Sequence, residues 1–283
     1  MVKMLNHLHH IARTLPLYGF RILEDGPTAA ELQLEADYSE EMEAALVLAY
    51  LFAINQVQPL FGATEAEMRE TLLAAFRNNS LYSDEIYRTV RYYGQRGYNV
   101  GGQIGIDTLG LNGVFDLSDP QILANLETIY EKLSEVDGEY SLLGTTAKEV
   151  AQQVRIQYAT GAEWEQALGA LLVWYGLRAA VRSVNIANTE SVRMSRLGLA
   201  AVFAGNGITA VIHRTAEDER VCPVCQPLNG KRYNLGDVFD PLARVPEPDY
   251  IPLHGSCRCY YEPVREGWSI PVTIWLGWEL LGT

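Results

Sequence analysis

The chain has 283 residues, enough for one large domain or two of ordinary size. Hydrophobic residues make up 48% and charged residues 20%, a composition that is typical of a folded protein and excludes a largely disordered one. The formal net charge of −13 argues against a protein that coats nucleic acid, because an acidic surface repels phosphates at long range.

Hydropathy predicts no membrane span. The longest apolar run, Ala44 to Ile54, is too short to cross a bilayer, which takes about 20 residues. Residues 1–15 lack the long apolar stretch of a secretory signal. We therefore expect the protein to fold in the cytoplasm of the cell that makes it.

The first two thirds of the chain are predicted to be helical. Acidic residues from Glu40 to Glu43 precede an apolar segment, Leu46 to Phe61, and carboxylates suit the positive end of a helix dipole. Thr64 and Glu67 have the spacing of a capping box, in which each side chain binds a backbone N–H of the other residue. They predict the start of a second helix.

Another start signal is the capping pair Ser118-Asp119 followed by Pro120, since proline is well suited to the first helical turn. Apolar residues then recur at alternating steps of four and three: Ile122, Leu126, Ile129, Leu133 and Val136. This spacing predicts one apolar stripe of an amphipathic helix.

Two more helices are predicted before residue 205. Thr146 and Glu149 repeat the capping-box spacing, and their helix is expected to end near Gly161. The next helix is predicted from about Ala162 to Phe203, straight or broken, with Gly205-Asn206-Gly207 as its end. Its residues Arg182, Thr189 and Arg193 share one face, which we expect to be solvated or ion-paired.

The glycine-rich segment from Gly101 to Gly113 breaks the helical pattern. It lacks the Gly-Lys-Ser/Thr ending of a phosphate-binding loop and the spacing of a dinucleotide-binding turn. We predict a plain loop or hairpin here.

Short strands and long loops are predicted after Gly207, with the first strand over Ile208 to His213. The predicted fold class is therefore α+β, with mainly helical N-terminal and central regions and a small C-terminal domain built around a Cys/His metal knot. The predicted division is a helical N-terminal region (1–112), a central helical region (113–205) and the small domain with an aromatic tail (206–283).

All four cysteines lie in the last quarter of the chain. Cys222 and Cys225 have the two-residue spacing of a metal knuckle, and His254, Cys257 and Cys259 follow about thirty residues later. Zinc prefers four soft or borderline ligands in a closed tetrahedron, and this group offers five candidates. A site closed in this way is structural, so no catalytic residue is predicted.

The ligand set stays open on sequence alone. We favour Cys222, Cys225, His254 and Cys257, with Cys259 competing for one position. If residues 257–261 form a strand, Cys257 and Cys259 point to the same face and both reach the ion. Disulfides are the main alternative, although thiols of a cytoplasmic protein are usually reduced. A thioredoxin-like redox pair is weaker, because no βαβ pattern surrounds it.

These residues resemble the signature of the phage Mu F-like family, the minor head or head morphogenesis proteins of tailed bacteriophages. The resemblance lies in three segments: His213 to Cys225, the turn Leu228-Asn-Gly230, and Ile251-Pro-Leu-His254-Gly-Ser-Cys257-Arg-Cys259. Ile186 to Arg193 and Val114 to Pro120 are similar to upstream parts of the family. The chain departs from the family pattern at His213, where members often carry tryptophan, and at Gly255-Ser256, where proline-asparagine is more usual.

The resemblance implies a non-enzymatic virion protein, placed inside the capsid near the portal vertex after assembly in the host cytoplasm. Its partners would be the portal protein and other head proteins, with a contact to packaged DNA as a further option, and it would act in head morphogenesis or genome delivery. Two alternatives from other classes are a toxin-type enzyme carried on a minor-head module and a zinc-containing nucleic-acid-binding protein.

The C-terminal tail, Trp268 to Trp278, is aromatic and nearly uncharged. Aromatic side chains dominate the energetic centres of protein interfaces. The tail is interpreted either as a last strand packed on its own domain or as an anchor to a partner such as the portal.

Overall fold

The computed structural model of the chain describes residues 29–138, 141–215, 223–238, 257 and 259–264. The described residues form helices and one small sheet, which confirms the predicted α+β class. The helices are α1 (Ala29–Val57), α2 (Glu65–Arg77), α3 (Leu81–Thr108), α4 (Pro120–Ser134), α5 (Leu142–Ala159), α6 (Trp164–Gly205) and the short α7 (Leu235–Val238). The strands are β1 (Ala210–Arg214), β2 (Arg232–Asn234) and β3 (Tyr260–Val264).

The chain divides into two compact units. The helical unit contains Ala36–Tyr92 and Glu127–Ile186. The cysteine unit contains residues 29–35, Tyr93–Leu126 and the described residues from Ala187 onward. The helices α1, α3 and α6 contribute residues to both units. The domain division at residues 112 and 205 stays a prediction.

Several helix ends lie where local chemistry predicts them. The Thr64 and Glu67 capping box is formed in both directions at the start of α2. Helix α4 begins at Pro120, and the backbone N–H of Ile122 donates to the Asp119 side chain at 3.3 Å. Gly161 and Gly207 have φ values of 78° and 75°, the left-handed conformation that follows a helix.

Helix α5 begins earlier than its predicted capping box. Its cap is Ser141, whose hydroxyl accepts from the Gly144 backbone N–H at 2.7 Å. The Thr146 hydroxyl instead donates to the Leu142 carbonyl inside the helix at 2.9 Å. Thr146 is fully buried, so the predicted box at Thr146 and Glu149 was wrong, and both side chains serve a different purpose described below.

The prediction of a loop or hairpin at the glycine-rich segment was wrong for its first part only. Helix α3 continues to Thr108, and a turn and loop follow from Leu109 to Gly113. A Cβ atom added at Gly101 would lie 1.8 Å from the Ser195 carbonyl oxygen, and one added at Gly198 would lie 2.0 Å from the Tyr98 carbonyl oxygen. The glycines therefore allow the backbones of α3 and α6 to touch within the cysteine unit, a tertiary reason that local propensity does not reveal.

The helical unit is held by packing of α2 against α5. Helix α2 buries Met68, Leu72, Leu73 and Phe76, and α5 buries an apolar face that includes Leu143, Ala147, Val150 and Val154. Each large side chain of this kind stabilises the fold by about 1.5–3 kcal/mol when it is fully buried.

The cysteine unit contains an antiparallel sheet in the order β2-β1-β3. Strand β1 pairs with β3 from Ala210↔Val264 to Arg214↔Tyr260. Its start lies within two residues of the predicted first strand. One apolar core joins the sheet to α6 and includes Leu199, Phe203, Val211 and Tyr261.

Candidate metal centre

Two segments of the cysteine unit carry the described cysteines. Cys225 ends a turn and precedes a short 3-10 helix, Gln226–Leu228, with the Leu228 backbone N–H donating to the Cys225 carbonyl at 2.9 Å. Cys257 and Cys259 directly precede β3, whose register against β1 fixes the backbone at Tyr260. The two cysteines thus lie before the strand. The prediction that they share one strand face assumed that they lie inside it.

The structure brings three thiols together. Each of the Sγ atoms of Cys225, Cys257 and Cys259 lies within 4.8 Å of the other two. The Sγ atoms of Cys225 and Cys257 are 3.9 Å apart, far beyond the disulfide bond length of about 2.05 Å. We call this group the cysteine cluster. No disulfide joins its members to one another.

The spacing of the cysteine cluster fits a thiolate-bound zinc ion. Zinc–sulfur bonds of about 2.3 Å in a tetrahedron place neighbouring sulfurs about 3.8 Å apart. The Cys225 and Cys257 sulfurs already have nearly this separation, and the Cys259 sulfur lies within 4.8 Å of both. Soft thiolates also select zinc over magnesium or calcium.

The surroundings of the cluster are apolar. Cys225, Cys257 and Cys259 are only 3%, 1% and 3% exposed and belong to the core that contains Leu199, Phe203 and Tyr261. Hydrogen bonding to the Cys257 thiol, burial and the neighbouring thiols raise the pKa of Cys259 well above its usual range. In such a core three thiols could ionise together only if a cation balanced their charge, as a bound metal ion would.

Two of the five predicted ligands, Cys222 and His254, lie outside the described residues. The aromatic tail, Trp268 to Trp278, also lies outside the described residues, as do residues 265–267 between β3 and the tail. The predicted fourth ligand therefore remains a prediction. Cys259, which the sequence ranked as a competitor, lies within the cluster together with Cys225 and Cys257.

Polar side chains from α1 and α6 approach the cluster. The Arg196 Nε donates to the Cys259 carbonyl oxygen at 3.2 Å, and one terminal nitrogen of Arg196 lies 3.5 Å from the Glu31 carboxylate. The Ser195 hydroxyl donates to the same Glu31 oxygen at 2.7 Å. Sequence spacing gave no signal for these contacts, because 63 residues separate Arg196 from Cys259 and 164 separate Ser195 from Glu31.

Glu35 lies one helical turn after Glu31 on α1. With the Asn188 side-chain amide oriented to donate, its nitrogen lies 2.6 Å from the Glu35 carboxyl group. Burial and the neighbouring Glu31 raise the pKa of Glu35 to about 8, although the positive charge of Arg196 acts in the opposite direction. Near neutral pH this carboxyl group therefore carries a proton.

A second buried polar group lies in the helical unit. The Arg182 guanidinium donates to the Tyr50 hydroxyl at 2.8 Å, to the Thr146 hydroxyl at 2.9 Å and to the Leu142 carbonyl at 3.2 Å. It also lies 3.4 Å from Glu149, which accepts a hydrogen bond from Tyr50. We call Tyr50, Thr146, Glu149 and Arg182 the arginine cluster.

The face of α6 that was predicted to be solvated or ion-paired forms ion pairs at Arg182 and Arg193. Arg182 is only 6% exposed, and Arg193 lies 3.0 Å from the buried carboxylate of Glu190. Burial raises the pKa of Glu190, and the charge of Arg193 partly offsets this. These charged side chains therefore stabilise packing within their own units.

Among the described helices, α6 is long and apolar enough to cross a bilayer by length and composition. This is weak evidence for a membrane span, because a core helix of a soluble protein has the same properties. The predicted absence of a span stays a prediction.

Comparisons with protein-family models, with curated proteins and with solved structures found no match to this chain.

Proposed function

We propose that this chain is a minor head protein of a tailed bacteriophage, in which a structural zinc ion holds the C-terminal domain together. It acts in head morphogenesis or genome delivery from a position inside the capsid near the portal. Its role is structural and not enzymatic. The resemblance of residues 213–225 and 251–259 to the phage Mu F-like signature motivates this proposal.

The convergence of Cys225, Cys257 and Cys259 supports the metal centre of this proposal. Thirty-two residues separate Cys225 from Cys257, yet their sulfurs lie 3.9 Å apart in an apolar core. Cysteines that occurred in the sequence by chance would not be expected to lie together in the fold. The motif and the geometry therefore support the same structural element.

Zinc would be held by these three thiolates and a fourth ligand from Cys222 or His254. When bound, the ion supplies a crosslink that neutralises the thiolates and joins the turn at Cys225 to β3. With four protein ligands, no position remains open for a substrate or an activated water, which is the arrangement of structural zinc sites. The apolar surroundings in the described part of the site suit this role.

Co-assembly tests the proposed function. The full chain is expressed with the portal and major capsid proteins encoded by the same genome, and procapsids are isolated by sedimentation. We expect the chain to sediment with portal-containing procapsids in a few copies. Cys225→Ser is expected to abolish incorporation, and Gly169→Ala, an open helical position, serves as the matched control.

A chain that remains unbound while portal-containing procapsids form would contradict the minor-head role. A salt-dependent shift of DNA by the full chain, in the absence of head proteins, would instead favour the nucleic-acid-binding alternative.

A further inference from the structure

Arg196 is placed to control the backbone of one member of the cysteine cluster. Its side chain is 12% exposed, and its Nε atom donates to the Cys259 carbonyl oxygen at 3.2 Å. The ladder between β1 and β3 extends only as far as Arg214↔Tyr260, so Cys259 lies one residue beyond its last pair. Arg196 therefore holds the Cys259 carbonyl, which lies beyond the strand pairing.

The guanidinium of Arg196 is itself held in place. The Glu31 carboxylate of α1 lies 3.5 Å from one of its terminal nitrogens, and the Ser195 hydroxyl donates to the same carboxylate oxygen at 2.7 Å. Because the guanidinium is planar and its donors have fixed directions, anchoring one nitrogen at Glu31 also orients Nε. A chain of contacts thus runs from Glu31 through Arg196 to Cys259.

We propose that Arg196 is a positioning residue for the metal centre, and that Glu31 acts through it. This inference rests on the proposed zinc site. With its carbonyl fixed, Cys259 presents its sulfur to those of Cys225 and Cys257. Groups that orient metal ligands in this way typically raise metal affinity 10- to 100-fold.

The same contacts couple the metal centre to the start of α1. If Glu31 and Arg196 favour the arrangement that binds the ion, then bound ion favours their contact by the same factor, since linkage is reciprocal. Loss of metal would therefore loosen α1 around Glu31, 228 residues before Cys259 in the chain.

The experiment measures zinc affinity of the full chain by competition with a chromophoric chelator, in the wild type and in Arg196→Gln, Arg196→Lys and Arg193→Gln. Arg193 is the matched control, because it lies on the same helix and pairs with Glu190 at 3.0 Å. We expect Arg196→Gln to weaken zinc binding by at least about tenfold and Arg193→Gln to leave it unchanged. Arg196→Lys should recover part of the loss, because an ammonium group can still donate to the Cys259 carbonyl.

Cobalt substitution separates positioning from a general loss of stability. The intensity of the thiolate-to-cobalt charge-transfer absorption reports how many sulfurs bind the ion. Arg196→Gln should reduce this intensity at saturating cobalt, whereas a variant that is only less stable would keep the wild-type spectrum once loaded.

Glu31→Gln provides a second variant should Arg196→Gln fail to fold. Its amide oxygen can still accept from Ser195, but it lacks the charge that holds Arg196. It should weaken zinc binding less than Arg196→Gln does. Wild-type affinity and an unchanged cobalt spectrum in both variants would overturn the positioning role alone. Absence of zinc binding in the wild type would overturn the proposed metal centre as well.

Discussion

The arginine cluster and the cysteine cluster are both buried polar groups, but they differ in the kinds of side chain they contain. In the arginine cluster, the guanidinium of Arg182 contacts hydroxyls, a backbone carbonyl and the Glu149 carboxylate. Burial alone would raise the pKa of Glu149, but the hydrogen bond from Arg178 and the charge of Arg182 outweigh it and lower that pKa. The chain supplies both signs of charge.

The cysteine cluster contains groups of one kind. The hydrogen bond with the Cys257 thiol, burial and the Cys225 thiol raise the pKa of Cys259. Arg196 contacts the Cys259 carbonyl instead of its sulfur. Among the described residues, the arginine cluster thus contains both signs of charge, whereas the cysteine cluster contains only thiols, whose ionisation the proposed metal ion would favour.

Removal of the proposed zinc ion is expected to have the largest effect. Structural zinc contributes an apparent binding free energy of about 10–16 kcal/mol, as much as the whole stability of an ordinary domain. A strong chelator should therefore expose the backbone amides of β1 and β3 to hydrogen exchange while those of α2 and α5 stay protected. Equal protection of the strands with and without chelator, measured by mass spectrometry, would refute the contrast between the two units.

Replacement of Arg182 should cost about 3–5 kcal/mol, because it removes the donor to the Tyr50 and Thr146 hydroxyls and to the Leu142 carbonyl and breaks the contact with Glu149. Arg182→Met should show this loss in urea unfolding. Arg178→Gln is the control, since Arg178 contacts the same Glu149 carboxylate from a more exposed position, at 38% exposure. Its loss should be about 1 kcal/mol or less. Similar losses in the two variants would mean that burial does not set the strength of the arginine cluster.

Close packing of α3 on α6 makes a smaller contribution to the cysteine unit. Gly101→Ala should destabilise the protein by about 1–3 kcal/mol or more, because the new methyl group meets the Ser195 backbone and the helices must separate. Gly169→Ala, which meets no atom within 4 Å, should instead stabilise its helix by up to about 1 kcal/mol. Thermal unfolding of both variants checks the opposite signs, and a stabilised Gly101→Ala would contradict the observed packing.

Titration of Glu35 should have the smallest effect. The pKa is about 8 in the folded chain, above the ordinary 4.5, so the folded chain holds the additional proton between these values. Stability therefore falls as pH rises through that window. A difference of one unit in pKa is worth about 1.4 kcal/mol, and solvent screening of a half-buried group reduces the total, so we expect a loss on the order of 1–2 kcal/mol.

Glu35→Gln should remove this loss. Its stability should match the wild type near pH 5 and exceed it near pH 8, as measured by urea unfolding at both pH values. Glu41→Gln, at an exposed position of the same helix, should keep the wild-type profile. If the wild type instead gained stability relative to Glu35→Gln between pH 5 and pH 8, the assigned direction of the Glu35 pKa shift would be wrong.

Local signals predicted much of the helical frame. The capping box at Thr64, the proline start at Pro120 and the left-handed ends at Gly161 and Gly207 all depend on a few neighbouring residues. The long helix ending at Gly205 also agreed with its predicted end. Such features can be read from a sequence because their physical cause lies within one or two turns.

The errors have tertiary causes. Gly101 lies in a helix because a second backbone needs its space, and Thr146 failed as a cap because Arg182 binds it from another helix. The cysteine spacing predicted the chemistry of the site, since ligands of one metal recur in recognisable motifs. The contacts of Arg196 and Glu31 could not be predicted, because no spacing rule relates residues 31, 196 and 259.

Metal content with thiol titration tests the central claim most directly. Protein purified without added chelator is measured by mass spectrometry for bound metal and titrated for reactive thiols, in the wild type and in Cys225→Ser. We predict one equivalent of zinc per chain, thiols that react only after denaturation or chelation, and loss of zinc in the variant. Metal-free wild-type protein with its cysteines either freely reactive or oxidised to disulfides would contradict the zinc centre.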